Sequence, residues 1–132
     1  MSQVFAADSV NNSAVVTLTL NTQSVACTGN FISPPFGNAK AIVSASASIN
    51  CGTGVTSVVV VITRNPQKEN VQIGPSFFNP AAASATVTVS VQFADVIPDS
   101  RAVQYAMFIQ QQGATGNGSV VCSNISALLI SG

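Results

Sequence analysis

The sequence predicts an all-β, single-domain antiparallel β-sandwich. Three observations predict it: Val and Thr recur in period-two runs, no amphipathic helical period is present, and Gly, Pro and Asn clusters punctuate the runs. At 132 residues one domain is the default, long enough to bury roughly two thirds of the surface its unfolded chain exposes.

Residues 1–13 read as an N-terminal arm and residues 14–132 as the sandwich. Ala14 to Leu20 opens the strand series, with Thr17 and Thr19 alternating against Val16, Leu18 and Leu20, and a weaker strand follows over Ser24 to Phe31. The segment Ser33-Pro34-Pro35-Phe36-Gly37-Asn38 is a break, because proline has no N–H to give a ladder. Ala39 to Ile49 sets Ala41, Val43, Ala45, Ala47 and Ile49 on one face and Ile42, Ser44, Ser46 and Ser48 on the other. Asn50-Cys51-Gly52-Thr53-Gly54 is a turn. Val55 to Thr63 is apolar on both faces, so one face belongs to the core and the other to a partner or a further sheet.

Between Arg64 and Ala83 alternation is lost and Pro66, Pro75 and Pro80 intervene, so a long connection is expected, divided by a short strand at Val71 to Ile73. Ser84 to Phe93 alternates cleanly, Ala85, Val87, Val89, Val91 and Phe93 inward and Thr86, Thr88, Ser90 and Gln92 outward. A loop over Ala94 to Arg101 is expected around Pro98, then a strand from Val103 to Gln111 with Val103, Tyr105, Met107 and Ile109 on one side and Ala106 and Phe108 on the other. Gln112 to Gly118 reads as a glycine-rich hairpin connection, and Ser119 to Ile130 as the last strand, with Val121, Ile125, Ala127 and Leu129 on one face. Seven or eight strands joined by short hairpins and long crossings favour a jelly-roll sandwich. An immunoglobulin-like sandwich is the alternative, disfavoured because the chain has no Trp to pack on an inter-sheet disulfide.

Charge decides which functions to discard. The chain has four Lys plus Arg, four Asp plus Glu and no His, 6% charged residues where about a quarter is usual. No basic stripe exists, which removes the counterion release that drives nucleic-acid binding and the polybasic docking that draws proteins to membranes. The longest near-continuous apolar run, Val58 to Ile62, falls far short of the roughly 20 residues of a spanning helix. Met1 to Asp8 has neither a basic start nor an apolar stretch of signal-peptide length, so the chain is expected to begin in the cytosol of the cell that makes it. A shell of Ser, Thr, Asn and Gln desolvates more cheaply than a charged one, which favours a subunit of an assembly.

Chemistry-bearing groups are few. Cys27, Cys51 and Cys122 are widely spaced and have no His to complete a zinc site, so buried thiols are expected ahead of one disulfide plus a free Cys. Asp95 and Asp99, with Arg101 nearby, form the one close carboxylate pair, a spacing that would suit a hard cation or a glycosidic bond but suits turn capping and ion pairing better. Gly113 to Gly118 lacks the Lys and the following helix of a phosphate cradle. The Asn-X-Ser triplets at Asn11, Asn117 and Asn124 are expected by chance in so Asn- and Ser-rich a chain, and Gln110 to Gln112 reads as a strand edge. No catalytic, cofactor-binding or metal-binding residue is assigned, and the chain is expected not to be an enzyme.

The successive pieces Ala39-Lys-Ala-Ile-Val-Ser-Ala45, Gly54-Val-Thr-Ser-Val-Val-Val-Val-Ile-Thr-Arg64, Ala85-Thr-Val-Thr-Val-Ser-Val-Gln-Phe-Ala-Asp95 and Tyr105 to Gly118 resemble the small jelly-roll proteins of viruses. The resemblance is to the trimeric, tumour-necrosis-factor-like domains that decorate bacteriophage capsids or form spikes, and it extends over about two thirds of the chain. It implies a homotrimer on a virion surface, a decoration or cement protein whose partner is the major capsid protein, with the N-terminal arm reaching a neighbour. Two alternatives stand beside it. One is a subunit of an extracellular filament built by strand exchange through the arm. The other is a carbohydrate- or receptor-binding module that uses Tyr105 and the Phe side chains as stacking surfaces.

Overall fold

A computed structural model describes residues 4–34, 37, 39–79, 85–98 and 100–130, with the backbone alone for Val4 and Phe5. Pro35, Phe36, Asn38, Pro80 to Ser84 and Asp99 lie outside the described residues. The strands are β1 (Val4–Asn12), β2 (Val16–Leu18), β3 (Ser24–Thr28), β4 (Ala39–Asn50), β5 (Val55–Arg64), β6 (Val71–Phe78), β7 (Thr86–Ile97), β8 (Tyr105–Gly113) and β9 (Gly118–Ile130). They form two antiparallel sheets, ordered β1-β9-β4-β7 and β3-β8-β5-β6, with β2 also on β9.

β1 and β2 pair with successive stretches of β9, Val10 opposite Ile125 and Val16 opposite Val120, so they are one strand position interrupted at 13–15. Counted as one, they leave eight positions wound in the order of a jelly roll, not the strand order of an immunoglobulin-like sandwich. The segment expected as an arm therefore carries a strand of the first sheet. Its inward side chains Ala6, Asp8, Val10 and Asn12 alternate apolar with polar. Asp8 accepts from the backbone N–H and side-chain amide of Asn30, and Asn12 donates to the carbonyl of Ala26.

Period two predicts β4 and the first half of β7 correctly. Ala41, Val43, Ala45, Ala47 and Ile49 are buried and meet Val58, Val60 and Ile62 of β5 and Tyr105, Met107 and Ile109 of β8 in one core. Elsewhere the expected boundaries move. β2 is short, and β3 ends at Thr28. β7 does not stop at Phe93 but runs on to Ile97, keeping parity through an inward Asp95 that a binary pattern reads as a break. β6 is far longer than Val71 to Ile73; it accommodates Pro75 at a register shift against β5, on an edge strand where a missing N–H is tolerated. In β9 a bulge opposite Ser48 and Ile49 inserts one residue, so Val120 is buried and Val121 is exposed, the reverse of the expected face.

The glycine-rich loop is not a hairpin either, since β8 and β9 belong to different sheets. It is an arch between the sheets, and it packs on the other arch, Cys51 to Gly54, by backbone hydrogen bonds from Gly54 to Thr115 and from Ala114 to Gly54. Gln111 closes this end of the sandwich. It is fully buried, it accepts from the N–H of Gly52 and donates to the carbonyl of Asn50, and it is not at an edge, because β8 lies inside its sheet.

The arches are packed backbone to backbone, which makes Gly52 sensitive: a Cβ there would collide with the carbonyl of Gly116. Gly52→Ala is expected to lower stability by about 1–3 kcal/mol in urea unfolding, the usual penalty of overpacking, whereas Gly37→Ala in an exposed turn is expected to change it little.

Candidate assembly surfaces

The charged groups gather at the end of the sandwich opposite Gln111. Arg64, at the last position of β5, reaches from the second sheet to Asp95 of β7 in the first; its Nη1 donates to the two carboxylate oxygens at 2.9 and 2.8 Å and to the carbonyl of Val96. The Tyr105 hydroxyl donates to the same carboxylate at 2.7 Å. Glu69, in the β5–β6 turn, lies 3.6 Å from Arg64 Nε, accepts from the side-chain amide of Asn65, and pairs with Arg101 at 2.7 Å. Burial alone would pull the Arg64 guanidinium down, but the hydrogen bond and charge of Asp95, with Glu69, outweigh it and hold its pKa above the ordinary value. Burial first, then the bond to Asp95, push the Tyr105 phenol far up.

Asp95 is thus committed to Arg64 and Tyr105, and Arg101 to Glu69, while Asp99 lies outside the described residues. Asp95, one member of the carboxylate pair weighed as a cation or glycosidic site, instead contributes to a sheet-to-sheet clasp. Tyr105 is only 2% exposed, so it offers no stacking surface. All three cysteines are free. Cys27 and Cys51 are buried, their thiols pushed up by desolvation, and Cys122 is exposed at the β9 bulge.

With the charges gone to the clasp, the sheet faces are nearly uncharged. On the outer face of the first sheet the register aligns successive rows. Ala7, Leu128, Ile42 and Ala94 form one; Ser9, Ser126, Ser44 and Gln92 the next; then come Asn11, Asn124, Ser46 and Ser90. Cys122, Ser48 and Thr88 follow. Two of the three Asn-X-Ser asparagines meet here, the Asn124 amide donating to Asn11 at 2.6 Å, while Asn117 accepts from the N–H of Leu20 in a loop. Shallow hollows of about 460 and 300 Å³ lie over these rows. From strand spacing and rise, the face measures about 20 by 35 Å, near the roughly 800 Å² per partner of a stable interface.

The outer face of the second sheet is different. Val61 faces Phe108, which faces Val25, and Val59 faces Phe77, so an apolar stripe crosses all four strands. Val59 and Val61 are nearly buried among these flanking side chains of their own sheet, but Val25 is 45% and Phe77 64% exposed. β5 is therefore apolar on both faces as its sequence requires, and among the described residues no further layer covers the outer one. The sequence signal for the stripe was present in Val59, Val61 and Phe108; Phe77 was missed because Pro75 hid its strand.

No protein-family model and no curated protein matches the chain. Solved structures do. The VP2 subviral particle of infectious bursal disease virus matches at 7% identity over 97% of this chain and 33% of that one, with a TM-score of 0.56. The structure of the Gx strain of the same virus matches at 10% identity over 97% of this chain and 32% of that one, with a TM-score of 0.52. A chain from Bacillus endospore appendages, a family of disulfide-linked pili, matches at 14% identity over 95% of this chain and 92% of that one, with a TM-score of 0.44. This chain spans about a third of the length of the two viral chains, and the likeness to them is one of fold.

The clasp generates two expectations. Arg64→Met leaves the Asp95 carboxylate without its cationic partner, so a loss of about 3–5 kcal/mol is expected in denaturant unfolding, while Arg64→Met combined with Asp95→Leu recovers most of it. Equal losses in single and double variants would count against the clasp. Because the folded pKa of Tyr105 is raised, its contribution is complete below the unfolded value near 10 and declines as pH rises above it. Melting temperature is expected to fall with a steeper slope above about pH 10 in the wild type than in Tyr105→Phe.

Proposed function

We propose that this chain is a non-enzymatic structural subunit, a decoration or cement protein that sits on a virus capsid as a homotrimer. One observation carries the reading: the apolar stripe Val25, Phe108, Val61, Val59 and Phe77 on an uncharged sheet face. The side chains left exposed at the two ends of the stripe, Val25 and Phe77, favour association, and the absence of charge on this face means that no ion has to be desolvated when copies meet. The Ser- and Asn-rich face of the first sheet has different chemistry, suited to wet, hydrogen-bonded contact with a second partner, which for a cement protein is the capsid lattice. The fold shared with a virus coat protein supports the same reading.

A filament built by strand exchange is the second reading, and β1 favours it. This strand lies at a sheet edge and places only Ala6 and Val10 against the core among its described side chains, so of the long strands it offers the least apolar area to hold it in place. A copy of β1 from a neighbour would make the same β9 hydrogen bonds.

Sedimentation separates the surfaces. The wild type is expected to sediment as a multiple of its 13.4 kDa mass, and Val25→Asp with Phe77→Asp to give a folded monomer, since both side chains are exposed in the single chain. A wild type that remains monomeric at about 100 μM would overturn the assembly reading. If the chain exchanges strands, a variant lacking residues 1–13 is expected to bind a synthetic peptide of those residues and to lose polymerisation, and filaments that persist without them would refute exchange. Immunogold labelling of particles from the producing culture distinguishes virion from filament.

A further inference from the structure

At the clasp end, three connections enclose a cleft of about 290 Å³ lined by Phe31, Asn65, Pro66, Gln67, Lys68 and Gln104. We infer that this cleft is a saccharide site, taking a single pyranose ring, preferentially one that carries a carboxylate. The inference stands apart from the assembly reading, because neither sheet face contributes to the cleft.

Phe31 supplies the platform. The residue is 58% exposed although the backbone is fixed on both sides of it: Asn30 is held by Asp8, and Ile32 exchanges two 2.8 Å backbone hydrogen bonds with Val103. Ile32 packs against the core, so alternation turns Phe31 outward. An exposed aromatic face on a fixed backbone is a surface on which the C–H groups of a sugar ring stack.

The rest of the cleft is equally prearranged. Asn65 has a left-handed φ of 49°, is 5% exposed, and ties the turn together: its carbonyl accepts from Lys68 and Asn70, its Oδ1 accepts from the Gln104 N–H, and its amide donates to Glu69. The Gln104 amide donates to the carbonyl of Gly29 at 3.0 Å, which bridges the turn to the Phe31 loop and leaves its carbonyl oxygen as an acceptor for a ligand hydroxyl. Gln67 is exposed and adds an amide with both donor and acceptor atoms. No carboxylate is among the lining residues and Lys68 is their one charge, while the neighbouring Glu69 carboxylate is taken up by Asn65, Arg64 and Arg101, so the cleft favours an anionic sugar. The volume lies at the small end of ligand pockets, which run from about 300 Å³, and so fits one ring rather than an extended chain.

The test is a titration of the ¹⁵N-labelled wild type, followed by amide shifts, with methyl glucoside, methyl galactoside, glucuronate, galacturonate and N-acetylneuraminate. Saturable shifts at Phe31, Gln67, Lys68 and Gln104 are expected with at least one acidic sugar, at a Kd of about 1–10 mM as befits a single-ring contact. Phe31→Ala is expected to weaken binding at least tenfold, Val15→Ala to leave it unchanged, and both to keep the wild-type melting temperature because both side chains are exposed. Lys68→Gln is expected to remove the preference for the acid over its neutral counterpart. No saturable shift at about 50 mM of any sugar, shifts that map elsewhere, or binding undiminished in Phe31→Ala would overturn the site. Equal affinity for glucuronate and methyl glucoside in the wild type would overturn the carboxylate preference.

Discussion

A jelly roll sends most of its connections from one sheet to the other, so each end of the sandwich must be closed while crossing backbone passes over it. That constraint organises this molecule. One end is closed by Gln111, whose single buried amide satisfies the carbonyl of Asn50 and the N–H of Gly52 where the chain enters the Cys51 to Gly54 arch. The other is closed by Arg64, Asp95 and Tyr105, which join β5, β7 and β8 across the gap between sheets. An Arg that is 6% exposed is tolerable only because the Asp95 carboxylate and the Val96 carbonyl meet it there. Glu69 then extends the clasp outward to Asn65 and Arg101, and this shapes the Phe31 cleft. Four of the eight charged residues are spent in this one place, and the nearly uncharged sheet faces are its complement.

The same polar closures explain what the sequence did and did not make legible. β4 and the early part of β7 were readable because their inward residues are uniformly apolar and the register between them runs without a shift from Ala39 opposite Ile97 to Asn50 opposite Thr86. Asp95 keeps that inward parity but is polar, so the strand looked finished at Phe93. β1 failed in the same way: Asp8 and Asn12 face inward because they bond to the loop and strand of the opposite sheet, partners that no local window contains. The bulge that exchanges Val120 for Val121 is a register property of β9 with β4, set by pairing across the chain and invisible to periodicity. The candidate surfaces were half legible. A β5 apolar on both faces announced an outer stripe, but Phe77 stood behind a proline, and the Phe31 cleft depends on three loops whose meeting is decided by the topology.

The sheet edges carry the argument for a subunit one step further. Edge strands present unpaired N–H and C=O groups, and proteins that work alone blunt them with proline, bulges, interruptions or charge. Three of the four edges here are blunted in that sense. The β1–β2 edge is interrupted at 13–15, β3 is short and bulged at Ala26, and β6 contains Pro75 beside Gly74 at a φ of 109°. The fourth, β7, is a strand from Thr86 to Ile97 with no Lys or Pro and no bulge against β4. Its one charge, Asp95, faces inward to Arg64, so the clasp that stabilises the fold also takes away the charge that would otherwise protect the edge. A long, regular edge with no outward charge, beside sheet faces on which Lys40 is the one charged side chain among the described residues, is a hazard for a free monomer, and it becomes harmless once a neighbouring copy or a partner surface covers it.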